Sequence, residues 1–175
     1  MKKIVLVSGL IGGLIVAAML VITTGIYHAS GNFEGGMLIG YASMLIAFSL
    51  IFVGIKNYRD KYNGGIISFG KAFRIGLYIT LIASSIYVIT WLIDYYFFIP
   101  DFNEKYTEQM IGKLKAGGAS EAEIATKTKE LVSFSAMYKN PLFNALMTYM
   151  EILPVGLLVT LISSLILKRK VKPAA

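Results

Sequence analysis

Two carboxylates stand in runs that are otherwise uncharged: Asp94 within residues 75–98, and Glu151 within residues 142–167. An ionisable group in such a setting is costly to keep and points to an ion path, a proton relay or a polar contact between helices. Glu151 lies in MTYMEILPVGLLV, three residues before Pro154. Proline has no N–H, so the carbonyl of Met150 loses its partner within the helix. A neutral Glu151 is a donor that can satisfy a freed backbone group nearby, or bond a Tyr or Ser on another helix. As an ion it becomes a proton- or cation-binding carboxylate, with Asp94 as its companion in a small transporter. A third role is a charged acid facing a water-filled pocket. Asp94 sits inside WLIDYYFF, where it is expected to reach water or to accept hydrogen bonds from tyrosine hydroxyls.

A second candidate set is basic. Lys71 and Arg74 in SFGKAFR are spaced i, i+3, on one face of a helix. There they suit anionic lipid headgroups, with Ile66, Ile67, Phe69 and Phe73 entering the headgroup layer. The alternative is an element that gates a substrate.

Other chemistry is thinly represented. There is no cysteine, so disulfides, thiolate catalysis and Cys-ligated metals are excluded. The single histidine, His28, excludes a multi-His metal site within one chain. No G-x-S-x-G, H-E-x-x-H or P-loop pattern occurs. No cofactor and no enzymatic activity are expected.

The elements that position these residues follow from composition. Of 175 residues, 56% are hydrophobic and 15% charged. A soluble domain has about a quarter charged. The mean hydropathy is +0.67. The apolar residues form long runs, and a bilayer core of about 30 Å needs roughly 20 apolar helical residues. The expected fold is all-α and polytopic, a single membrane domain with four transmembrane helices at about 4–27, 37–55, 72–98 and 142–167. The first run exceeds a secretory h-region and no A-x-A site follows, so it reads as an uncleaved helix.

Charge gives the orientation. Lys2 and Lys3, then Lys56, Arg59, Lys61, Lys71 and Arg74, then Lys168, Arg169, Lys170 and Lys172 flank one side. The connection HASGNFEGG has no Lys or Arg, and residues 99–140 carry six Lys against six acids. The positive-inside rule places both termini and the middle loop in the cytoplasm, with anionic lipid as the partner of the basic flanks. Basic residues that flank spans do not form the single patch that nucleic acid needs.

Residues 101–140 read as an extracytoplasmic helical hairpin between the third and fourth spans. Asp101/Glu104 and Ser120/Glu123 have capping-box spacing. Phe102, Tyr106, Met110 and Leu114 form one face, and Ile124, Thr128, Leu131, Ser135 and Tyr138 another. Such a hairpin must pack on the bundle or the membrane surface, or dock a partner. Asn140-Pro141 opens the fourth span. Small residues recur every four positions: Gly9, Gly13 and Ala17, with Gly12 beside them; Gly36 and Gly40; Gly76, Thr80 and Ser84; Gly156, Thr160 and Ser164. They allow close helix packing within the chain, or a homodimer face along the first helix.

Together FVGIKNYRDKYNGGIISFGKAFR, WLIDYYFFIPDFNEKY and MYKNPLFNALMTYMEILPVGLLVTLISSLILKRK resemble the bacterial membrane proteins of the domain of unknown function 4199 family, found mainly in Bacteroidota. Glu151, Pro154 and Gly156 fall in its E-x-x-P-x-G pattern, Lys71 in S-F-G-K-A-F and Asn140-Pro141 in N-P. The resemblance implies a four-span inner-membrane protein and assigns no activity. The leading expectation is a structural or interaction component with a membrane-protein partner or a second copy. The alternative is a proton- or cation-coupled transporter using Glu151 and Asp94.

Overall fold

The computed structural model describes residues 1–30 and 36–169. Six helices follow one another: α1 Lys2–Ser30, α2 Gly36–Tyr62, α3 Phe69–Ile93, α4 Phe102–Ala116, α5 Glu121–Tyr138 and α6 Pro141–Leu167. A π turn, Asp94–Phe98, continues α3. No strand forms among the described residues. One isolated antiparallel bridge joins Ile67 to Arg169. Residues 31–35 of the first connection, the His28 side chain, and Lys170 and Lys172 of the basic tail lie outside the described residues.

Helices α1, α2, α6 and α3 with its π turn are long and apolar enough to cross a membrane. The 27 residues of α6 reach about 40 Å at ~1.5 Å each, more than a ~30 Å hydrocarbon core. The bundle's outer wall agrees with a lipid solvent. Leu14, Leu38, Ile46, Ile89, Leu158 and Ile166 are all exposed, and a soluble protein rarely shows so much apolar surface.

Helix α3 packs against α1 and α6, α2 packs against the same two, and α2 meets α3 across the middle. The core between them holds Phe48, Ile51, Ile55, Ile75, Ile79, Ala83 and Ile152. The small-residue stripes decide how closely the helices approach. On α1, Gly9 lies under Ile82 and Gly13 under Ile86, both of α3, so these glycines pack inside the chain. Gly76 of α3 faces Thr160, and Gly156 of α6 faces Thr80. Thr80 Oγ1 lies 3.1 Å from Thr160 Oγ1, a reciprocal contact between antiparallel helices. Gly40 does not behave as expected, because a side chain there would meet open space. The close approach on α2 is at Gly54 instead, against Ile79 and Ser8.

Helix ends follow local chemistry, with two exceptions. Helix α2 overruns its expected end at residue 55 and continues through KNYRDKY to Tyr62. Charge ends a membrane span but not a helix, since Lys and Arg are good helix formers. The chain turns only at Gly64 and Gly65, with φ of 60° and 76°. Asn140 caps α6 by accepting from Leu142 N and Phe143 N, with Pro141 in the first turn. Ser120 and Glu123 form both halves of a capping box on α5. Asp101 does not form the expected one on α4. Its φ and ψ of −90° and 7° are not those of an extended cap, and no side-chain cap bond forms. Its carboxylate pairs with Lys105 at 2.6 Å instead. Ser120→Ala is therefore expected to raise amide exchange several-fold in the first turn of α5 alone. Hydrogen-exchange mass spectrometry reads this, and unchanged exchange there would refute the cap.

Candidate functional site

Glu151 is ten residues into α6, about 15 Å from its start by helical rise. Three helices surround it. Helix α4 contributes Phe102, Asn103, Tyr106 and Thr107, and α5 contributes Leu131, Phe134, Ser135 and Tyr138. With Met147 and Glu151 of α6 they line a groove of about 320 Å³. The expected faces of α4 and α5 are the inward ones, for α4 and α5 pack on each other.

An aromatic junction holds this pair of helices on the bundle. Trp91 of α3 donates from Nε1 to Asn144 Oδ1 at 2.9 Å and to the Tyr138 hydroxyl at 3.2 Å. The Trp91 ring meets Phe102 edge-on at 5.2 Å, and Tyr95 meets Tyr138 at 5.4 Å. Asn103 Nδ2 donates to the Tyr95 hydroxyl at 2.7 Å, and the Tyr96 hydroxyl donates to the carbonyl of Lys139 at 3.0 Å. Burial holds the Tyr138 phenol above its ordinary pKa, against the opposing effect of its bonds with Thr148 and Trp91. The charge of Glu151 acts in the same upward direction, so Tyr138 stays a protonated donor at neutral pH.

Glu151 itself forms no hydrogen bond and no ion pair among the described residues. It is open on the groove side. No bond to a carbonyl beside Pro154 is among its contacts with the described residues. Helix α6 runs unbroken through Pro154, which is exposed, and Glu151 faces α4 and α5. Asp94 is largely buried at the end of α3. It is 7% exposed, opens the π turn, and its Oδ2 has no partner. The Tyr96 hydroxyl donates to the carbonyl of Lys139, and the Tyr95 hydroxyl accepts from Asn103. Asp94 does not line the groove, so the two acids do not share that wall.

The basic candidates sit at the opposite end of α3. Lys71 Nζ donates to Asn63 Oδ1 at 3.2 Å and lies 5.0 Å over the Tyr58 ring. Arg74 is exposed and, among the described residues, bonds the Gly70 carbonyl of its own helix, at 3.4 Å. Ile67 does not enter a headgroup layer. It is fully buried and exchanges backbone hydrogen bonds with Arg169 at 3.1 and 2.8 Å. Lys71 thus braces the turn after α2, and Arg74 is the more accessible cation.

The residue patterns of the resemblance now have places. Asn140-Pro141 caps α6, Gly156 receives Thr80, and Lys71 braces a turn. The family model described as a protein of unknown function (DUF4199) matches residues 8–169. The chain belongs to the DUF4199 family. No curated protein and no solved structure matches it. This DUF4199 chain has six described helices, four of them long and apolar enough to span a membrane. Sequence reasoning missed the groove. Its one signal was the uncharged end of α5, residues 131–138, which faces α6.

Proposed function

We propose that this DUF4199 protein is a non-enzymatic component of the bacterial inner membrane, with both termini cytoplasmic. Its extracytoplasmic α4–α5 hairpin is the contact surface for a partner membrane protein. The observation that carries this reading is that α5, 18 residues long, has no fully buried residue. Phe102, Asn103, Phe134 and Tyr138, near its base, tie the hairpin to the bundle. Val132 and Met137 remain exposed beside it.

The transporter alternative draws support from Glu151, a carboxylate without a counter-ion among the described residues. Against it, Asp94 is not on the same wall, and the bundle core is filled by Phe48, Ile152 and the Thr80–Thr160 contact.

The absence of cysteine makes the test clean. Single cysteines replacing Lys129 and Asn57 are expected to label oppositely in intact spheroplasts with an impermeant maleimide, Lys129→Cys only from outside. Photo-crosslinkers at Val132 and Met137 are expected to capture the same membrane protein, and one at Leu158 is not. Labelling of Asn57→Cys from outside, or no adduct from either hairpin position, overturns the reading.

A further inference from the structure

The groove has a defined chemistry. Its floor is one carboxylate, Glu151, and its lining includes no Lys or Arg among the described residues. Its walls carry two aromatic pairs. On α4, Phe102 and Tyr106 stack with centroids 6.3 Å apart, and on α5, Phe134 and Tyr138 lie 5.4 Å apart. A carboxylate in a groove lined by aromatic rings suits an organic cation, which gains from the anion and from the ring quadrupoles together. A volume of about 320 Å³ is at the lower end for small-molecule sites and fits a small headgroup.

We propose that this groove binds the primary ammonium headgroup of an aminophospholipid. The carboxylate selects positive charge and therefore disfavours an anionic headgroup. A primary ammonium has N–H donors for Glu151, which a trimethylammonium lacks. The lipid source follows from position. Glu151 belongs to a helix long and apolar enough to span a membrane, and Leu146 and Met150 beside it on α6 are 55% and 70% exposed. Acyl chains have an apolar surface to lie on next to the headgroup. The proposal does not depend on a protein partner for the hairpin.

The test uses the full chain in detergent with equal amounts of phosphatidylethanolamine, phosphatidylcholine and phosphatidylglycerol of one acyl composition. Native mass spectrometry reads the lipid retained. About tenfold preference for phosphatidylethanolamine is expected. Glu151→Gln should remove it, and Glu130→Gln, at an exposed acid outside the groove, should keep it. Ser135→Phe narrows the groove while keeping the carboxylate in the chain and should also remove the preference. That variant decides the matter if Glu151→Gln does not fold by circular dichroism. Equal retention of the three lipids, or a preference that survives Ser135→Phe, overturns the proposal. The emission of Trp91, the single tryptophan, bonded to Tyr138 of the groove, separates the sources. Phosphatidylethanolamine should shift it and free ethanolamine at millimolar concentration should not. A shift by ethanolamine alone assigns the groove to a soluble amine and overturns the lipid assignment.

Discussion

Gly156→Leu is expected to abolish the folded bundle, and Gly156→Ala to lower its stability by about 1–3 kcal/mol, the usual range for overpacking. A Cβ at Gly156 would stand 2.9 Å from Phe48 Cζ and nearer still to Thr80 Cγ2. Both neighbours are fully buried, so neither can swing away. The α3–α6 seam is reciprocal, since a Cβ at Gly76 would stand 2.6 Å from Thr160 Cγ2. Widening one half also lengthens the Thr80–Thr160 contact at 3.1 Å. Two companions make the mechanism specific. Thr80→Ser removes the nearer clashing methyl but keeps the hydroxyl, and combined with Gly156→Ala it should recover part of the loss, with the Phe48 ring accounting for the rest. Gly40→Ala, at a position facing open space, should melt like wild type or slightly higher. Thermal unfolding in detergent measures all four. A Gly156→Ala protein as stable as wild type would show that α3 and α6 do not approach this closely.

The seam was legible in the sequence because it is periodic: Gly76/Thr80/Ser84 and Gly156/Thr160/Ser164 announce two small faces, and small faces in a membrane pack. The spans and the caps at Ser120 and Asn140 were legible for the same reason, that each depends on a few neighbours along the chain. Asp101 escaped because its cap needs an extended backbone, and the turn out of the π segment leaves it near ψ 7°. Glu151 was visible as an anomaly, but its surroundings were not. Its groove is made by α4 and α5 folding back along α6, and the contacts of Trp91 with Asn144 and Tyr138 span 53 and 47 residues. No local pattern encodes such a contact. The same limit applies to Asp94, which is buried at the start of the π turn.

The second large effect is expected at that long-range junction. Trp91→Ala should free the α4–α5 pair from the bundle while leaving the four long helices packed. The indole touches three other helices: its ring meets Phe102 of α4 at 5.2 Å, and its N–H bonds Tyr138 of α5 and Asn144 of α6. Removing a packed tryptophan costs about 3–5 kcal/mol. It also strips a donor from Asn144, which is fully buried and whose Nδ2 already has no partner. Trp91→Phe keeps a ring against Phe102 and loses only the N–H, which costs about 1–3 kcal/mol. The order of damage should therefore be Ala, then Phe, then wild type. Amide exchange should rise across residues 102–138 and stay unchanged around Ile79 and Ala83, because the Gly76–Thr160 seam is a separate contact. Without the junction the aromatic walls leave Glu151, so discrimination among headgroups should fall with the loss of protection and in the same order. Unchanged exchange in residues 102–138 of Trp91→Ala would mean that something other than this junction holds the hairpin. If exchange rose but headgroup selectivity persisted, the α4 and α5 walls would have no part in binding.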